Sequence, residues 1–178
     1  QKDTEVAMPG KADLCRVGTI ALIRQIVRIS PQVMRILIEG KQRAALLSII
    51  QEEPCLISSI LPIETEGKME MAEEQARVRV IKDMLVHYIA ENPKSSKELR
   101  KALEEESALE PFMDQVAANM PLSQKVRQKF LEIQPLDMRY EFMVNLIKNE
   151  IEITNLKQEF QKKVKNRIDK NQKEYILR

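Results

Sequence analysis

The sequence contains no tryptophan, one histidine, two cysteines and four glycines, and each scarcity closes a route. A phosphate cradle needs several glycines at fixed spacing so that backbone N–H groups can approach the anion. Neither a Walker A phrase nor a dinucleotide-binding pattern occurs. The single histidine, His87, lies between Val86 and Tyr88 in a helical pattern. With no HExxH and no second histidine it reads as a surface or interfacial side chain rather than a general base or metal ligand. Cys15 and Cys55 stand far apart without a second ligand at zinc spacing, so two reduced, partly buried thiols are expected, a disulfide being the alternative. No GxSxG elbow presents a nucleophilic serine. The acids at 104–106 point in different directions around a helix and form a solvated face rather than a cation site. No apolar run is long enough to cross a bilayer, and nothing resembles a signal peptide. A cytoplasmic setting without a membrane partner is therefore expected.

A strong excess of charge is also missing. Lys and Arg number 29 against 27 Asp and Glu, a formal net charge of +2. A phosphate-tracking domain would carry a stronger bias. The basic residues do gather near the end, where "KKVKNRIDKNQKEYILR" threads apolar side chains through lysines and arginines. Two readings stay open: a nucleic-acid arm, which is DNA binding by a basic helix, or a connector helix that wants a protein partner.

What the sequence does hold is an apolar fraction of 43% with 31% charged residues, enough for a core within one or two compact units. Two periodicities divide it. Residues 1–64 form a β-rich region. "RVGTIALIRQIVRI" and "VMRILIEG" are rich in β-branched residues and flank a Pro-containing break, which predicts an antiparallel hairpin. "RAALLSIIQEE" is a third candidate, ambiguous between strand and helix, and "CLISSILPIE" a fourth. Gly40, in "EGKQR", reads as a turn or bulge glycine with freedom for positive φ. Arg43 beside it is expected to pair with an acid across the sheet edge.

Residues 65–178 switch to helical spacing. Met71, Gln75, Val78, Ile81, Met84, Leu85 and Tyr88 form a stripe for one helix, stopped at Asn92-Pro93. Three shorter helices follow over "SKELRKALEEES", "ALEPFMDQVAANM" and "SQKVRQKFLEI", the first capped by Ser95 or Ser96 and the last by Ser123. After Pro135 neither Pro nor Gly interrupts the chain. Apolar positions continue through Ile153, Phe160, Val164, Ile168 and Tyr175, which predicts one long helix or two nearly continuous ones. Most of the nine methionines are expected in the core, with a few on an adaptable protein-binding face rimmed by Lys and Arg. The fold class expected is α+β, a small β-rich subdomain followed by a helical bundle with a long terminal helix.

Several phrases, in order, cover nearly the whole chain: "QKDTEV", "VGTIALIRQI", "ILIEGKQRA", "AANMPLSQKVRQKFLEI", "RYEFMVNLIKNEIEI" and "NRIDKNQKEYILR". Together they resemble the N-terminal domain of bacterial ATP-dependent Lon proteases. The resemblance implies a PUA-like β-rich unit, a helical subdomain and a long helix directed toward an ATPase ring. It implies an N-terminal region that selects and binds damaged, unfolded or tagged proteins within a homo-oligomeric, ATP-fuelled serine protease. ATP and magnesium would belong to the ATPase module, and the 178 residues themselves would be non-catalytic and without a cofactor. Gly40 and Arg43 match the family's turn phrase and would be structural; Glu174, Tyr175 and Leu177 match the segment leading toward the ATPase. Two departures stand out. The strand-rich stretch with a Pro-Leu-Arg phrase that family members carry before "QKDTEV" is absent, and "SPQV" replaces an Asp-Gly type turn. The expectation is a piece cut from a longer polypeptide, with an incomplete β unit whose edge is open or paired with another chain.

Overall fold

A computed structural model describes the chain apart from residues 4, 68, 93, 94, 106, 107, 177 and 178, and apart from the side chains of residues 170, 171 and 173–176. It divides into two compact units, Gln1–Glu66 with Gln124–Pro135, and Gly67–Ser123 with Leu136–Arg178. Residues 124–135 have helical periodicity, and spacing alone places them in the helical region. In the structure they group with the strands, because periodicity reports local conformation and not which core a helix joins.

In the first unit a 3-10 turn, Lys11–Asp13, precedes three antiparallel strands in the order β1 (Val17–Ser30), β2 (Val33–Gln51) and β3 (Ile57–Pro62). The hairpin expected around Pro31 is present. The break expected at Gly40 is not: "VMRILIEG" and "RAALLSII" are one strand of 19 residues. Ala21 pairs with Gly40 and Ile20 with Gln42, so Lys41 is an extra residue taken up as a bulge, and the strand continues past it. Gly40 does not use positive φ; a Cβ there would stand 3.2 Å from Thr19 Cγ2, so its value is lateral space beside β1. Helix α4 (Gln124–Glu132) lies against β1, where the Gln128 side-chain amide donates to the Val17 carbonyl at 3.0 Å. This unit buries little: Arg43, Ala44 and Phe130.

The second unit has the larger core. It holds α1 (Met71–Glu91), α2 (Lys97–Glu104), α3 (Leu109–Asn119) and the 41-residue α5 (Leu136–Ile176), roughly 60 Å long at about 1.5 Å per residue. Gly67, at φ 105°, supplies the left-handed residue just before α1. On α1 the buried positions are Ile81, Leu85, Tyr88 and Ile89, whereas Met71 and Gln75 at the start of the predicted stripe are exposed. Burial pushes the Tyr88 phenol above its ordinary pKa, and the Glu150 carboxylate adds to the shift. Leu99, Phe112, Met113, Val116, Met143 and Ile147 are also part of the interior. Of the nine methionines only Met113, Met120 and Met143 are buried, so the expectation that most would fill the core fails. Met serves adaptable surfaces as well as core gaps, and its spacing alone does not say which.

Polar groups fix the helix ends. Of the two candidate caps, Ser96 is the one used: its hydroxyl accepts from the Leu99 N–H at 3.1 Å. Ser96→Ala is expected to cost about 1 kcal/mol in chemical denaturation of the helical unit. Lys82 Nζ donates to the Glu105 carbonyl at 2.8 Å, satisfying an oxygen at the end of α2.

Candidate protein-binding surface

Beyond Ala44 the sheet narrows to two strands. β3 pairs only with residues 44–51 of β2, and the rest of β2 runs beside β1 alone out to the Pro31–Gln32 turn. Opposed residues of an antiparallel pair share a face, so the register sorts the side chains of this arm. Ile26 opposes Ile36, Ile23 opposes Ile38, and Arg28 opposes Met34. Met34, Ile36 and Ile38 alternate along β2 and so lie on one face. A bulge at Arg24 resets the alternation in β1 and brings Ile23 onto that face with Ile26. The result is a continuous apolar face of five large side chains, all exposed, from 48% for Ile36 to 63% for Met34.

The opposite face is mixed. Leu22 opposes Glu39, Gln25 opposes Leu37, and Val27 opposes Arg35. Between Ala21 and Gly40 the arm carries three arginines (Arg24, Arg28 and Arg35) against one acid, Glu39. Lys41 and Arg24 both bond the Glu39 carboxylate and hold its pKa below the usual carboxylate range, Lys41 making the larger contribution. A depressed carboxylate stabilises the arm above its unfolded-state pKa and loses that contribution as pH falls through the folded value. NMR titration should place Glu39 below the usual carboxylate range; an ordinary value would remove the ion-pair cluster. Acidification then leaves the arm more basic. An apolar face rimmed by arginines can hold extended polypeptide by burial and by strand addition along the unpaired edge of β1, with a bias toward acidic flanks.

The residues singled out from sequence are distributed differently. Gly40 and Arg43 are strand residues rather than turn residues; Arg43 is only 8% exposed, and its carbonyl accepts from the Ile63 N–H at 2.8 Å, linking the edges of β2 and β3. Ile153, Phe160, Val164 and Ile168 lie exposed along the distal half of α5. Tyr175 is within α5, but its side chain lies outside the described residues, as do Leu177 and part of the 104–107 acidic run. Cys15 and Cys55 are free thiols. The five residues of the apolar face escape a sequence reading because strict alternation sends Ile23 and Ile26 to opposite faces; the missing signal was the bulge.

Gly10, Gly18, Gly40 and Gly67 are dispersed over the chain, and among the described residues no three His, Cys, Asp or Glu side chains gather to hold a metal ion. No helix among the described residues is long and apolar enough to cross a membrane.

A small sheet with an exposed apolar face, joined in sequence to a helical bundle that ends in a long helix, has the architecture of a substrate-recognition domain. The chain belongs to the family described as the ATP-dependent protease La (LON) substrate-binding domain, whose model matches residues 1–149. It is 36% identical over 179 residues to the Lon protease of Lachnoclostridium phytofermentans, covering 100% of this chain and 22% of the relative. It is 32% identical over 187 residues to that of Clostridioides difficile, covering 100% and 23%. The chain thus spans less than a quarter of the length of these relatives. Among solved structures, the N-terminal domain of the Mycobacterium avium complex Lon protease shares the fold with a TM-score of 0.51 at 16% identity, over 75% of this chain and 70% of that one.

Proposed function

We propose that this substrate-binding domain serves an ATP-dependent serine protease as its recognition and assembly region, and that the apolar face of the β1–β2 arm takes up exposed apolar segments of unfolded or damaged proteins for delivery to ATPase and protease modules. One observation carries the assignment of the surface: Ile23, Ile26, Met34, Ile36 and Ile38 stand on one face of a two-stranded arm and are half exposed or nearly so. Buried apolar area contributes roughly 25 cal/mol per Å², and ordering a flexible client offsets part of that gain. Each contact is therefore weak, and homo-oligomeric display of several copies raises the effective affinity. ATP and magnesium act in the ATPase module of such a protease, and the setting that goes with this role is cytoplasmic.

The test is chemical-shift mapping with a permanently unfolded client and, at matched salt, with duplex and single-stranded DNA. Saturable shifts over residues 22–38 with the client are expected. Ile36→Asp should weaken client binding by about tenfold, because a charge on that face must be desolvated, while the helical unit melts unchanged. Saturable shifts with DNA and none with several clients would replace the proposal by the nucleic-acid reading of the basic helix.

A further inference from the structure

The register that gathers the apolar face of the β1–β2 arm also puts one charged group on it. Arg28 opposes Met34, and opposed residues of an antiparallel pair share a face. Arg28 therefore closes the row that runs from Ile23 and Ile38 through Ile26 and Ile36. At its other end the row is bounded by Ala21 opposite Gly40. Between those ends the face carries no acid, and Arg28 is its cation.

The arm's other charges are engaged or stand on the mixed face. Glu39 opposes Leu22 there, and the bulged Arg24 and Lys41 both bond its carboxylate. Arg35 opposes Val27 on that same mixed face. Arg28 is exposed, and its guanidinium makes one hydrogen bond among the described residues, to the Pro31 carbonyl at a long 3.4 Å. A guanidinium carries several N–H donors in a planar fork that matches a carboxylate. Most of that fork stays open at the end of an apolar row. The row also sets a spacing. Along β2, Ile38, Ile36 and Met34 stand two residues apart, so it is roughly 13 Å long at about 3.3 Å per residue. An extended polypeptide laid along it presents its own side chains with the same period. Two alternate apolar side chains cover the Ile23–Ile38 and Ile26–Ile36 pairs, and the next side chain on that face meets Arg28.

We infer that Arg28 selects the clients of this face: extended segments with apolar side chains at alternate positions, followed at the next position on the same side by a carboxylate. The carboxylate belongs to an Asp or Glu side chain or to the client's own C-terminus. This inference rests on the client-binding role proposed for the face and adds to it a charge requirement at one place. Burial of apolar area supplies most of the affinity, and the charge-assisted pair supplies the choice.

Four peptides with the same alternating Val–Ser stretch test it against the 178-residue chain by chemical-shift titration. One carries Glu two residues past the last Val, and a second carries Lys there. A third carries the Glu beyond a flexible Gly-Ser spacer of about ten residues, which removes the fixed spacing. These three are capped at both ends; the fourth ends in a free C-terminal carboxylate at the Glu position. The first and fourth should bind about fivefold more tightly than the second and third at low salt, the scale of a partly exposed ion pair. Tighter binding by one of those two alone supports the inference and identifies which carboxylate is read. Arg28→Gln should lose the preference and Arg35→Gln much less of it, with the melting of both variants unchanged because both side chains are exposed. Equal affinities for all four peptides, with saturable shifts over residues 22–38, overturn selection by Arg28 and leave the client-binding role standing. Equal loss of preference in the two variants overturns it in favour of a general basic rim. No saturable shift with any peptide, nor with an unfolded client, overturns both.

Discussion

Arg139→Ala is expected to cost the helical unit about 3–5 kcal/mol, the range for removing one partner of a buried ion pair. Arg139 is fully buried at the start of α5, and its Nη1 donates to Glu110 Oε1 on α3 at 2.6 Å. Truncation loses the packing of a long side chain and strips Glu110, itself partly buried, of its cation. Urea denaturation followed by circular dichroism measures the loss. Arg139→Met restores volume without charge, so it should recover part of the stability if packing dominates and little if the lost Arg139–Glu110 bond dominates. Glu110→Gln keeps an acceptor for the guanidinium and should cost less than Arg139→Ala. A loss below about 1 kcal/mol for Arg139→Ala would place this pair among surface salt bridges.

Phe112→Ala should destabilise the same unit by a comparable amount, about 3–5 kcal/mol, through lost transfer energy and the cavity left behind. Phe112 is fully buried on α3, and the Lys82 ammonium stands 5.6 Å from its ring centre on the way to the Glu105 carbonyl. The ring therefore fills the core and also presents a π face to a partly buried cation. Phe112→Leu isolates the second role: a volume near the original with no ring should cost roughly 1–2 kcal/mol, cavity and cation–π terms included. If Phe112→Ala melts like the parent protein, the arrangement of α1, α2 and α3 described above is wrong. At about 4–8 °C per kcal/mol for a domain of 60–100 residues, the expected effect is large enough to unfold the unit near physiological temperature.

Local patterns were legible where one physical cause dominates. Ile81, Leu85 and Tyr88 recur at helical spacing and are buried together; Ser96 precedes a helix and caps it; the stretch after Pro135 has no breaker and forms one helix. The resemblance carried by "VGTIALIRQI" and "NRIDKNQKEYILR" led to the family that residues 1–149 match. Misplaced features share a cause of another kind. At Gly40 the bulge is present, with Lys41 as the extra residue, but the break between two strands is not, because β2 passes through it. Met71 and Gln75 hold the right spacing for burial, but both are exposed on the first turns of α1.

The sequence by itself determined the fold class, the helices, the β1–β2 hairpin and the family, because propensity, periodicity, caps and ordered motifs act over a few residues or are compared position by position. Tertiary structure decided which side chains stand together. Register and bulges put Ile23, Ile26 and Ile36 on one face, and the packing of α5 on α1 and α3 buried Arg139 against Glu110. It also decided that Phe160 and Val164 stay exposed while Thr154 and Gln158 bond Asn92 and Glu91 at the end of α1. Burial is a property of pairs of elements distant in sequence, and a face is defined only when its opposing element is in place.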